Sequence, residues 1–374
     1  MKEISVGIVN YRVKYFLEQT IRSAKEALAG RDVEIIVIDN DSQDDSIEYA
    51  KGMFPDVTFI ENKENVGFAK ANNQGFNVAA GKYILILNPD TIICKETVDA
   101  CYTWAETHSD CGGIGVKMHD GNGVFLPESK RSFPTPWVSF CKIFGLSTLF
   151  PKSKWFAKYH LRYLDNREVH PIDILAGAFI FVNAELLRQC GGFDEAYFMY
   201  GEDIDLSYKF SKAGYQNYYL PNEIIHYKGE STKKNSMKYV KVFYEAMLIF
   251  FRKHYPHYSK IYYFFVKFAI LIRAGLAALR RLLHPILSKK EQQPACYYVQ
   301  SRRFEEIKAK LPNACVKPYS EYKDNAELSM IVLDSEEMSY SDIIVKIVSN
   351  KSKNIRFAIF SGNPGTLITP KFEG

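Results

Sequence analysis

Over the first 90 residues the hydrophobic pattern alternates between two periods. Residues 4–9 read as a buried strand, 33–38 form an almost purely β-branched run ending at Asp39, 57–60 give a short third run, and 83–87 are fully apolar. Between them lie helical patterns. Residues 16–28 place Leu17, Ile21, Ala24 and Leu28 on one face, and 46–54 and 69–80 follow the same rule, the last stopping at Gly81. Strands apolar on both faces, alternating with helices, predict an α/β domain with a doubly wound, mostly parallel sheet covered on both sides. Ligands bind such sheets beyond the carboxyl ends of the strands. Asn10 and Tyr11, Asp39 and Asn40, and Asn88-Pro89-Asp90 all fall at those ends.

The pattern then loosens. Residues 112–171 hold Pro127, Pro134, Pro136 and Pro151 among many aromatics, which predicts a loop-rich flap. Residues 172–182 are apolar around Ala176-Gly177-Ala178, small enough for close approach of a ligand or a neighbouring strand. Helices are expected over 203–213, capped by Gly214, and over 239–255, stopped at Pro256. A long apolar and aromatic stretch, 261–283, precedes a polar linker at 289–294. Residues 326–333, 340–348 and 355–360 then read as strand, helix and strand, a small α/β unit without catalytic signature. Three regions are expected: 1–230, a basic helical segment over 231–290, and 291–374.

Charge sharpens this division. The chain of 374 residues carries a net charge of +5, but residues 228–290 hold 14 Lys and Arg against 2 Glu, and the remainder is net acidic. One segment therefore carries the whole basic excess, which implies a local anionic partner and no general nucleic-acid binding. Seven cysteines without a C-x-x-C pair predict reduced thiols, neither a disulfide framework nor a zinc site. The N-terminus runs directly into a strand pattern, so no signal peptide is expected and the protein is placed in the cytoplasm.

Candidate chemistry gathers at the strand ends. Asp39 suits a base or ribose contact, while Asp44 or Asp45 suits a cap on the helix from Ser46. Gly67 and Lys70 lie at a helix start, where free N–H groups suit phosphate, although a Gly turn with a surface Lys gives the same pattern. Asp90 ends the 83–87 strand. A hard cation such as Mg²⁺ needs few protein carboxylates because it shares phosphate oxygens with a substrate, and His226 is a candidate second ligand. Glu202, Asp203 and Asp205 crowd a helix start behind Tyr197-Phe198-Met199-Tyr200-Gly201. The helix dipole favours acids there, yet it does not explain the whole cluster. Asp203 is the candidate general base.

These stretches, in order, resemble family 2 glycosyltransferases of the GT-A fold, close to the bacterial rhamnosyltransferase-like branch. The resemblance rests on Val6-Gly7-Ile8-Val9-Asn10-Tyr11, Val37-Ile38-Asp39-Asn40, Asn65-Val66-Gly67-Phe68-Ala69, Asn88-Pro89-Asp90, Gly192-Phe193-Asp194-Glu195 and Gly201-Glu202-Asp203-Ile204-Asp205-Leu206, over residues 4–230. It implies that Asn10, Tyr11 and Asp39 contact the nucleotide, with Asn40, Gly67, Lys70, Asn88 and Gly177 as further donor-site candidates. It also implies that Asp90 binds the Mg²⁺ or Mn²⁺ that bridges the diphosphate. Asp203 would be the base of an inverting displacement and Glu202 would shape the donor or acceptor pocket. The family's metal motif is often Asp-x-Asp; here its first position is Asn88. The implied partners are a nucleotide-diphosphate sugar, with rhamnose one candidate, and a glycan or lipid-linked glycan acceptor of the cell surface.

A nucleotidyltransferase is the rival on the same sheet, but residues 10–15 lack its Gly-rich loop, and the G-x-G-x-x-G of a dinucleotide oxidoreductase is also absent. A non-catalytic sugar- or membrane-binding relative would not need Asp90 and Asp203. Lys267 and Arg273 interrupt the 261–283 stretch. Each costs about 2.5–3.5 kcal/mol near a bilayer centre, so this stretch is expected to lie on the cytoplasmic face of the membrane against anionic lipid. A packing arm or homodimer contact is the alternative.

Overall fold

The computed structural model describes residues 2–230, 237–256, 264, 268, 294–323, 327–350, 352–362 and 365–369. The N-terminal half runs β1 (Ile4–Asn10), α1 (Lys14–Ala27), β2 (Val33–Asp39), α2 (Ser46–Met53), β3 (Thr58–Glu61), α3 (Phe68–Val78) and β4 (Tyr83–Leu87). It continues through β5 (Thr91–Ile92), α4 (Lys95–Thr107), β6 (Cys111–His119), α5 (Pro136–Ile143), α6 (Leu146–Leu149) and β7 (His170–Ile172). Then come β8 (Phe179–Asn183), α7 (Ala184–Gln189), α8 (Glu202–Lys212), β9 (Gln216–His226) and α9 (Met237–His254).

These strands form one sheet in the order β3-β2-β1-β4-β8-β6-β9-β5, with β7 also on β9. β1, β2, β3, β4, β6 and β9 share one direction, and β5, β7 and β8 oppose it. The mostly parallel sheet expected from the sequence is therefore present. Side chains alternate between two cores, as a strand's period of two requires. Ile4, Val6, Ile8 and Val37 pack with Leu17 and Ile21 of α1. Val9, Ile36 and Ile38 pack on the other face with Ala71 and Phe76 of α3 and Leu206 of α8. The chain leaves β1 toward β2 and β3, then crosses back to β4. That reversal opens a crevice at the carboxyl ends of β1 and β4.

The flap expected over 112–171 begins later than the pattern suggested. Its first residues form the nine-residue strand β6. Gly112, Gly113 and Gly115 hide it from a hydrophobic count, but the packing demands them: a Cβ at Gly113 would lie 2.6 Å from Leu175 and one at Gly112 2.9 Å from Asn217. The irregular excursion proper runs from 120 to 169 and carries α5 and α6.

Helix α9 lies beyond residue 230 yet packs on α8, with Ala246, Phe250 and Phe251 buried against Ile174, Tyr197 and Ile204. The C-terminal strands β10 (Cys296–Gln300), β11 (Val316–Pro318), β12 (Ser329–Asp334), β13 (Ile355–Ser361) and β14 (Thr366–Ile368) make a second sheet, ordered β11-β10-β12-β13-β14. Its helix Tyr340–Ser349 shares one core with Ile92, Cys94, Ile225 and Tyr227 of the first sheet. The Tyr340 amide also donates to Glu26 Oε1 of α1 at 2.7 Å. Cys296 and Cys315 are paired, against the expectation of reduced thiols throughout. Parallel pairing of β10 with β11 brings their Cα atoms to 4.6 Å, a juxtaposition that a separation of 19 residues does not announce. The other five cysteines are free.

The stretch expected at the membrane, 261–283, lies outside the described residues except for Phe264 and Phe268, both exposed. Among the described residues no helix is long and apolar enough to cross a bilayer.

Candidate active site

A cavity of about 390 Å³ fills the crevice at the carboxyl ends of β1 and β4. Tyr11, Asn40, Asn88, Asp90, Gly177, Glu202, Asp203 and His226 line it, so segments far apart in sequence meet in one place. Asn10 and Asp39 stand just behind its wall. The parallel register of β1 and β2 sets them side by side, and Asn10 Nδ2 donates to Asp39 Oδ1 at 2.9 Å. Ser42 completes this buried knot, its hydroxyl donating to Asp39 at 2.5 Å and its amide at 3.1 Å. Asn40 accepts from the Val66 amide at 3.0 Å and its side-chain amide donates to Asn65 Oδ1 at 2.9 Å, which fixes the turn before α3.

Two expected phosphate contacts fall elsewhere. Lys70 is exposed on α3, and neither Lys70 nor Gly67 lines the cavity. Asn65 and Phe68 at the start of α3 do line the cavity, but the Phe68 amide is taken by protein, donating to the Phe198 carbonyl at 2.7 Å. Gly67 is needed for that approach, because at φ +88° its missing Cβ would sit 2.6 Å from the same oxygen.

At one end of the cavity, Asn88-Pro89-Asp90 is pinned by α1. Thr20 Oγ1 stands 2.8 Å from the carbonyls of both Pro89 and Thr91, which share its one O–H. Pairing of β5 with β9 sets Thr91 opposite His226. His226 Nε2 then lies 3.3 Å from Asp90 Oδ1 and 3.3 Å from Asn88 Nδ2. Burial opposes ionisation of Asp90, but attraction to His226 and its hydrogen bond outweigh this, and the carboxyl stays below its ordinary range. Asn88 Oδ1 and His226 Nδ1 are buried without a hydrogen-bond partner among the described residues. These residues fit a hard divalent cation. The 3.3 Å spacing suits adjacent ligands on one ion, and a carboxylate plus an imidazole leaves positions for diphosphate oxygens and water. No group of three or more His, Cys, Asp or Glu that could hold a metal ion occurs among the described residues.

At the other end, the first turn of α8 divides its acids. Asp205 turns away and is fully buried against α9, where Lys253 Nζ and His254 Nε2 reach it at 2.9 and 2.6 Å. Asp203 faces the cavity. Its Oδ1 accepts the Ile204 amide at 2.8 Å, and its Oδ2 accepts the Gly177 amide at 3.2 Å and Arg131 Nη2 at 2.5 Å. A carboxylate has about four acceptor positions, so roughly one remains for an incoming hydroxyl. Burial and then the Asp203 charge push the Glu202 carboxyl well above its usual range. Its Oε2 is buried without a partner among the described residues.

The excursion between β6 and β7 completes the wall with residues that sequence reasoning missed: Glu128, Arg131, Lys142, Tyr159 and His160. Lys228 follows β9 and pairs with Glu128. Burial, reinforced by Lys142 and Arg131, lowers His160 to about 3, so its ring is neutral. Burial opposes the charge of Arg131, yet Asp203 keeps it firmly protonated. No local motif announces these groups. The one available signal is that Lys130-Arg131 opens an acid-free run inside an acidic half of the chain.

A sheet with carboxylates gathered at its crossover, a cation-suited end and a carboxylate end in one cavity, fits a nucleotide-sugar transferase of the GT-A type. Residues 5–190 match the model of Glycosyl transferase family 2, and the chain belongs to that family. It is 28% identical over 259 residues to the N-acetylglucosaminyl-diphospho-decaprenol L-rhamnosyltransferase of Mycobacterium tuberculosis, covering 66% of this chain and 83% of the relative. It is 30% identical over 173 residues to the rhamnosyltransferase WbbL of Escherichia coli K12, covering 43% and 61%. Among solved structures, the mannosyltransferase PcManGT from Pyrobaculum calidifontis aligns at a TM-score of 0.46 with 17% identity, over 77% of this chain and 76% of that one. The protein is therefore a glycosyltransferase.

Proposed function

We propose that the protein transfers a sugar, with inversion, from a nucleotide-diphosphate donor to a hydroxyl of a lipid-linked cell-surface glycan at the inner face of the cell membrane. The meeting of Asp90 and His226 with Glu202 and Asp203 in one cavity carries this reading. Asp90 and His226 would hold Mg²⁺ or Mn²⁺. A bound divalent cation neutralises the charge that collects on a departing diphosphate. Lys228 lies on the same wall, paired with Glu128. Asp203 takes the acceptor hydroxyl's proton as that oxygen bonds to the anomeric carbon and the bond to the diphosphate oxygen breaks on the opposite face. One displacement inverts the centre, and no carboxylate nucleophile is required. Arg131 and the Gly177 amide hold Asp203 in place for this step. Glu202, protonated at neutral pH, is placed to donate a hydrogen bond to a sugar hydroxyl.

Rhamnose is the first sugar to test, because the Mycobacterium tuberculosis and Escherichia coli relatives are rhamnosyltransferases by name. Purified protein should release nucleoside diphosphate from one of a panel of dTDP- and UDP-sugars in the presence of Mn²⁺ and a diphosphate-linked N-acetylglucosamine lipid. NMR of the product should show the inverted anomer. A retained anomer would overturn the single displacement, and an absence of both binding and turnover across the panel would overturn the donor class.

A further inference from the structure

An uncovered apolar surface lies on the excursion that walls the cavity. Trp137, Phe144, Leu149, Phe150 and Trp155 are 49, 42, 70, 51 and 76% exposed, five of the thirteen exposed large hydrophobic residues among those described. They belong to one surface and are not scattered. Trp137 Nε1 donates to the Trp155 carbonyl at 3.3 Å, the Trp137 and Phe156 rings lie 6.1 Å apart, and Phe150 and Phe156 lie 5.3 Å apart. A contiguous exposed patch of this kind marks an interaction surface. Its charge selects the partner. Residues 129–164 contain seven Lys and Arg and no Asp or Glu. Lys152 and Lys154 are exposed beside the aromatic rings and form no ion pair with the described residues.

We infer that residues 136–158 are a membrane-docking surface that seats the cavity on an anionic lipid bilayer. Tryptophan suits the headgroup layer, with an apolar ring and a polar N–H, and each lysine adds attraction to anionic lipid. A second copy of the chain is the poorer fit, because two surfaces without an acid would repel across a symmetric contact. The surface is continuous with the site. Lys142 of α5 lines the cavity, as do Tyr159 and His160 just past the patch, so a bilayer lying on the patch borders the cavity mouth. The inference rests on the reading of the cavity as one that serves a lipid-linked acceptor, and it assigns the surface that brings the two together.

Two of the chain's three tryptophans are on the patch, and the third, Trp104, stacks on His108 at 3.7 Å. Tryptophan emission therefore reports docking directly. The full chain should float with vesicles of equimolar phosphatidylglycerol and phosphatidylcholine, with a blue shift in emission, and should do neither with phosphatidylcholine alone. K152E/K154E should weaken vesicle partition by more than about 25-fold, about fivefold for each basic residue removed at the surface, because each new Glu also repels the anionic lipid. Trp155→Glu should also weaken it, and both variants should leave lipid-free donor turnover unchanged. Flotation without an emission shift, or K152E/K154E floating like wild type, overturns this surface and leaves attachment through another segment. Failure to float with anionic vesicles overturns docking altogether. Loss of donor turnover in the wild-type protein without lipid would instead count against the glycosyltransfer reading.

Discussion

Replacing Asp203 by Asn separates two tasks that its carboxylate performs. Two oxygens now accept from Ile204, Gly177 and Arg131 at 2.8, 3.2 and 2.5 Å. An amide of nearly the same volume offers one oxygen to three donors and presents its own NH₂ where a donor already stands. It also leaves the Arg131 guanidinium without its counter-charge. Breaking a buried ion pair by removing one partner costs about 3–5 kcal/mol, and the remaining side-chain exposure of 11 and 13% puts this pair near the lower end. Loss of a general base costs about 10²–10⁴ in rate. Both losses appear in Asp203→Asn, so a second substitution must divide them. Arg131→Met alone should destabilise by a similar amount, because it strands the carboxylate. The double variant Arg131→Met/Asp203→Asn strands neither charge. It should regain most of the stability and none of the rate. Urea unfolding measures the first quantity and nucleoside diphosphate release at saturating donor and acceptor the second. Donor affinity should stay near wild type throughout. Wild-type turnover in Asp203→Asn would refute the base assignment. Recovery of rate together with stability in the double variant would refute it as well, since damage to the fold would then account for the loss.

Asp90→Ala should weaken Mn²⁺ binding, read by electron paramagnetic resonance with nucleoside diphosphate present, and His226→Ala should weaken it less because the carboxylate supplies the charge; unchanged affinity in Asp90→Ala removes it as a ligand. Glu202, an acid raised above its ordinary value of 4.5, binds more protons folded than unfolded, so its contribution to stability falls as pH rises from 4.5 through the raised value. Glu202→Gln should therefore flatten that part of the stability profile; an unchanged slope would show that burial does not hold the proton. Gly67→Ala should destabilise by roughly 1–3 kcal/mol through a positive φ and a clash with the Phe198 carbonyl, measured by urea unfolding; a neutral result would mean that the turn before α3 is looser than its contacts indicate.

The strands legible in the sequence are those whose two faces are both apolar. β1 and β2 lie between parallel neighbours, β4 lies between parallel β1 and antiparallel β8, and all three are covered by helices, so composition alone marks them. β6 escapes because its glycines answer to Leu175 and Asn217 across the fold, and no local rule contains that requirement. β9 escapes because Gln216, Asn217, Pro221, Asn222 and Glu223 break its apolar run, and its pairing with β6 shifts register midway. The site divides the same way. Asp90 and Asp203 stand in short contiguous motifs. Asp205 stands in the second motif too, but two positions along a helix turn a side chain by about 200°, which sends it to α9 and not to the cavity. Lys70 stands exposed on α3 and outside the cavity lining. A helix start suits phosphate where its amides are free, and here Phe198 takes the Phe68 amide.

Arg131 shows where sequence reasoning must stop. It precedes Asp203 by 72 residues and belongs to no motif. Two contacts place it: an isolated bridge to Ile174, and Nη2 donating to the Leu175 carbonyl at 2.6 Å. Both partners lie just before Gly177, whose amide holds the same Asp203 oxygen. The base is thus gripped from one short strip of backbone, and the guanidinium that completes the grip comes from the excursion between β6 and β7. That excursion also carries Lys142 and the exposed tryptophans. An acid-free run, residues 129–164, within that insertion therefore supplies the cation that orients the base, the lysine on the cavity wall and the uncovered surface beside its mouth. A pattern search tuned to strands and helices meets there only prolines and rings.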